Sequence, residues 1–162
     1  TLPLLGNTYR YSWKLPALVD SEYAARMRDS VHDSNFARVL PLSGHAIWWD
    51  AATPAGVATQ TVVPWGFFPT HGHRRAQELS LLLWAAGTDW STNSGYWPSS
   101  DPDGAEIASG WDGGNGPHVL GEEAASPRQT VVRGQAQQGA LRFLDLERTV
   151  PDGPAVRRQI TQ

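Results

Sequence analysis

The chain has 162 residues, no cysteine and a formal net charge of −3, from 13 basic and 16 acidic side chains. That length suits one domain, 1–162, with a core of its own, and the missing cysteines exclude a disulfide framework, a thiolate zinc site and a cysteine nucleophile. Weak acidity with isolated basic pairs, Arg74-Arg75 and Arg157-Arg158, argues against direct nucleic-acid binding, and no apolar run approaches the roughly 20 residues of a membrane span.

A soluble protein with no signal or transmembrane segment is the expectation, and the start at Thr1 reads as loss of an initiator Met. Residues 1–19 mix prolines with aromatics, and Tyr9, Tyr11 and Trp13 alternate onto one face, which predicts an extended N-terminal arm. "DSEYAARMRDSV" offers Asp20 or Ser21 as an N-cap with Tyr23, Met27 and Val31 as an apolar stripe, so a short helix is expected over 21–31. Further on, "GHAIWWD" and the β-branched "VATQTVVPW" flank Pro54 and Gly56, which predicts a hairpin pairing 45–50 with 57–63.

"PWGFFPTHGHRRAQELSLLLWAAG" has two readings. From Arg74 to Ala86 it contains no β-branched residue, and Gly87 stands where a helix would be capped, so propensity predicts a helix entered near Thr70 with Leu79, Leu82, Leu83 and Ala86 buried. In the other reading a strand places His71 and His73 on one face, with Glu78 or Gln77 and the distant His118 completing a nitrogen and oxygen shell for a divalent metal. The run Gly66, His71, Gly72, His73, Glu78 and Gly87 resembles the first motif of the cupin family. The resemblance implies a β-barrel holding iron, manganese or another divalent metal on His71, His73, Glu78 and His118, with dioxygenase or isomerase activity.

Thr88 to Ser126 is rich in Gly, Pro, Ser, Asn and Asp, and predicts a long loop pinned or made functional by its aromatics. Trp90, Tyr96, Trp97 and Trp111, near Asn93, Asp101 and Asn115, are candidate binding residues, since sugar rings stack on aromatic faces while polar neighbours bond the hydroxyls. "DPDGAEIASGWD" starts like a calcium loop but lacks its closing glutamate, and Asp-Pro and Asp-Gly are also common turn formers. "QTVVRG" and "ALRFLDLER" predict two strands, and residues 149–162 a polar C-terminal arm.

These elements predict a mainly β fold: a single β-sandwich or barrel, jelly-roll-like, with one or two short helices and a long Gly/Trp-rich loop. Few charges, eight tryptophans and two arms favour a non-enzymatic, self-associating coat subunit, such as a viral capsid, cement, decoration or tail component. Its partners would be copies of itself or other coat subunits, with no cofactor, no catalytic residue and a place in a virion. The alternatives are the cupin-like metal enzyme and a carbohydrate-binding module that takes a glycan on the loop tryptophans.

Overall fold

A computed structural model describes residues 35–51, 56–67, 75–94 and 101–162. The helix expected at 21–31, the N-terminal arm, His71, His73, Tyr96 and Trp97 lie outside the described residues. The fold is mainly β, built from two antiparallel sheets. The first runs in chain order through β1 (Phe36–Leu40), β2 (His45–Asp50), β3 (Thr59–Pro64), β4 (Leu82–Ala85) and β5 (Thr88–Ser91). β6 (Gln129–Gln138), β7 (Leu141–Thr149) and β8 (Val156–Thr161) form the second. Each is a meander of sequence neighbours, and neither closes on itself among the described residues.

The expected hairpin is present, with His45 opposite Pro64 and Asp50 opposite Thr59. Alternation along β2 sends Ala46 and Trp48 into a core shared with Val63 and Trp65 of the first sheet and Leu144, Leu146 and Ile160 of the second. Ile47 and Trp49 point to the other face and are also buried, with Trp49 stacked on Trp84 at 6.0 Å between ring centroids. Burial of both faces makes β2 an interior strand and explains why its sequence reads as a nearly continuous apolar run.

Three expectations are corrected. The helix expected over 74–86 is absent from its described part, 75–86: Glu78 and Leu79 form a turn, Leu82–Ala85 is β4, and pairing with β3 outweighs the helical propensity of Leu, Ala and Trp. Gly87 is the second residue of a two-residue hairpin turn, in which Ala86 (φ 50°) and Gly87 (φ 81°) both take the left-handed conformation of a type I′ turn. The long loop of 88–126 contains β5, helix α1 (Pro102–Ser109) and a 3-10 turn at Trp111–Gly113. The "DPDG" stretch is the start of that helix, with the Asp101 side chain accepting from the Gly104 amide at 3.2 Å and Pro102 in the first turn. The C-terminal arm is also corrected, because 156–161 is β8, paired with β7 from Arg148↔Val156 to Phe143↔Thr161.

Polar clasps close both ends of the paired sheets. At the hairpin end Arg142 of β7 donates to both oxygens of Asp50 of β2, at 2.8 and 2.6 Å, and Gln162 bridges Asp50 and Thr61. The other end carries the long loops and the cluster described next.

Candidate functional site

The loop end is built around Trp111, which the 3-10 turn after α1 drives into the molecule until it is 6% exposed. The Arg128 guanidinium lies 4.8 Å from a Trp111 ring centroid and 4.2 Å from that of Phe67, and that of Arg148 lies 4.3 Å from Trp111. His118 stacks on Trp111 at 5.2 Å with the ring planes 8° apart. Each arginine is also half of an ion pair. Arg128 Nε and Nη2 donate to the two oxygens of Glu78 at 2.8 and 3.1 Å, and Arg148 Nη2 donates to Glu122 Oε2 at 2.6 Å.

Arginine suits these positions because its planar fork matches a carboxylate while its face lies on an aromatic ring. Further donors satisfy loop carbonyls: Arg128 Nη1 reaches Ala124 O and Ser126 O at 2.6 and 3.1 Å, and Arg148 Nη1 reaches Pro117 O at 3.0 Å, while the buried Arg148 Nε has no hydrogen-bond partner among the described residues. Burial pushes the Arg148 pKa down, opposed by the neighbouring charges of Glu122 and Glu78, so its cation is retained by its partners rather than by water.

Glu78 reaches Arg128 because of an unusual backbone. Leu79, the next residue, has φ 64° and is fully buried, a conformation that costs a non-glycine residue ~1–2 kcal/mol. Three contacts hold it: the Leu79 amide donates to Pro64 O at 2.9 Å, its carbonyl accepts from Arg158 at 2.6 Å, and its side chain joins the core. The segment "GWDGGNGPH" crosses directly over this turn. Asn115 mimics a paired strand, accepting from the Leu81 amide at 2.7 Å and donating to Leu81 O at 2.9 Å. A Cβ on Gly116 would stand 2.5 Å from Glu78 O, so only glycine allows so close a crossing.

The arrangement fixes loops. Both Glu78 oxygens are engaged and the residue has no exposed surface, so a metal at this carboxylate would have to displace Arg128. His118, the other described member of the cupin-like set, packs on Trp111. Among the described residues no group of three or more His, Asp or Glu side chains is placed to hold a metal ion. Of the aromatic candidates, Trp111 is interior, whereas Trp90 is 68% exposed on β5 with its indole N–H donating to Ala85 O at 3.1 Å.

Arg128 and Arg148 were missed by sequence reasoning, because ion pairs closed across 50 residues for Glu78–Arg128 and 26 for Glu122–Arg148 leave no local pattern. The signal available was composition: twelve of the 13 basic residues are arginine, the cation suited to desolvated bidentate pairing. No helix among the described residues is long and apolar enough to cross a membrane. No protein-family model, curated protein or solved structure matches this chain.

Proposed function

We propose that this chain is a non-enzymatic, self-associating structural subunit of the coat, cement or tail type, with its two sheets forming the layers of a sandwich. The observation that carries the reading is the placement of large apolar side chains on rigid, outward positions. Leu42 in the β1–β2 turn and Leu120 in the loop after His118 are 99% and 98% exposed. The Leu42 turn ends at Gly44, whose carbonyl accepts from Trp65 and Gly66 at 2.7 and 3.1 Å, and the Leu120 loop is held by Glu122 Oε2 on the Val119 amide at 3.1 Å. Apolar tips on braced loops favour burial against another surface, since little ordering entropy remains to oppose it.

Sedimentation velocity of the intact chain over a wide concentration range tests this. Concentration-dependent association that Leu42→Glu with Leu120→Glu weakens supports the reading; a wild type that is monomeric throughout, with no binding to partner coat proteins, overturns it. A second reading, glycan binding, is favoured by Trp90 alone, an exposed indole face whose N–H is anchored. Loss of a sugar-induced fluorescence change in Trp90→Ala is its test.

A further inference from the structure

Four sheet edges are open among the described residues: β1, β5, β6 and β8. An open edge presents unpaired amides and carbonyls and is ordinarily guarded by charge, proline, a bulge or short length. β1 is five residues long with Arg38 at its centre, so pairing with its own copy would set like charges face to face. β5 has only four residues, and β8 carries Arg157 and Arg158 in adjacent positions.

β6 differs along its length. Its first half is guarded by a bulge between Val132 and Gly134 and by the exposed Arg133, which pairs with Glu147 of its own sheet. Its second half, Gly134 to Gln138, reads Gly-Gln-Ala-Gln-Gln, with no charge, no proline and no bulge, and Gln135 through Gln138 are exposed. Exposed Leu141 follows across the hairpin.

We infer that the second half of β6 is a homotypic edge, pairing antiparallel with the same segment of a second copy to continue one sheet across two subunits. This deepens, and rests on, the self-association proposed above. A two-fold axis at Ala136 sets Ala136 opposite Ala136, Gln135 opposite Gln137 and Gly134 opposite Gln138. The segment's neutrality makes it compatible with itself, whereas β1 and β8 repel their own copies. Five edge residues form a small contact beside the ~1,200 Å² of a typical stable interface, so the pairing is weak alone and suited to repetition in an assembly.

The register supplies its own test. With Gln135→Lys and Gln137→Lys together, lysines face lysines across the axis, and the association constant is expected to fall about tenfold or more. With Gln135→Lys and Gln137→Glu, each lysine faces a glutamate and association returns to the wild-type level or above. Separately, Ala136→Cys in this cysteine-free chain is expected to give a covalent dimer under mild oxidation, because Cα separations of directly opposed antiparallel residues fall within disulfide range. Glu106→Cys, at an exposed position on α1, is the control. If the wild type associates but both charge variants match it and Ala136→Cys forms no more dimer than Glu106→Cys, this inference is overturned while self-association stands. A wild type that remains monomeric up to about 1 mM overturns both.

Discussion

Replacing Arg128 by methionine keeps a long apolar stem and removes a guanidinium that makes four hydrogen bonds: two to Glu78 at 2.8 and 3.1 Å, and one each to Ala124 O and Ser126 O at 2.6 and 3.1 Å. The Arg128 and Glu78 side chains are 1% and 0% exposed, so solvent neither screens the pair nor takes over its bonds. Deleting one member of such a pair strands the other charge and costs ~3–5 kcal/mol, and the lost contacts with the Phe67 and Trp111 rings add ~0.5–2 kcal/mol. The expected loss is about 4–6 kcal/mol, a large share of the stability of a domain this size. With a urea slope of ~2 kcal/mol per molar, the unfolding midpoint followed by tryptophan fluorescence falls by about 2–3 M. Glu78→Leu together with Arg128→Met removes both charges and recovers most of the loss, because the stranded carboxylate is gone. A single-variant loss below about 1 kcal/mol, or a double variant less stable than the single, would refute the claim that this pair anchors the loops.

The carboxylates opposite the arginines predict an acid limb. Hydrogen bonds from Arg157 hold Asp145 down to a pKa of about 2, and those from Arg142 lower that of Asp50, both from an ordinary 3.8. The unfolded chain therefore takes up these protons first, and the stability they contribute is complete above pH ~4 and lost as pH falls toward 2. Burial lowers the His45 pKa from 6.5, giving a separate decline as pH drops below that value. Thermal midpoints measured from pH 7 to 2 should show both limbs, and Asp145→Asn should flatten the lower one. Gly116→Ala drives a methyl to 2.5 Å from a backbone oxygen and should cost ~1–3 kcal/mol, whereas Gly134→Ala, whose nearest neighbour would be 3.8 Å away, should change the urea midpoint little.

Strands were legible in the sequence where side-chain chemistry and pairing agree. The β2–β3 hairpin announces itself through Val62, Val63 and the alternating Thr59 and Thr61, and β6 and β7 through Val131, Val132, Phe143 and Leu144. β4 was illegible because Leu82, Leu83, Trp84 and Ala85 prefer a helix in isolation, and only the neighbouring strand decides otherwise. β8 was hidden by its arginines, which look like a solvated tail until Asp145 receives Arg157 and the carbonyls of Leu79 and Asn115 receive Arg158. Of the site, the loop's aromatic and glycine richness was visible beforehand; that Trp111 faces inward between two cations was not, since no local pattern specifies its contacts with Arg128 and Arg148, which lie well beyond it along the chain.

The two meanders also set a timetable. Every strand pair joins sequence neighbours, so each sheet can zip from its own turns with little loop-closure entropy. The Glu78–Arg128 bond, spanning fifty residues, encloses the segment between β5 and β6 that winds through α1 and crosses the Leu79 turn, and the larger loop it closes makes a late formation the expected order. Contacts that form after the main barrier govern how slowly a fold comes apart rather than how quickly it assembles. The buried charges at the loop end are thereby expected to act as a brake on unfolding, read as a faster unfolding rate with a nearly unchanged folding rate in Arg128→Met.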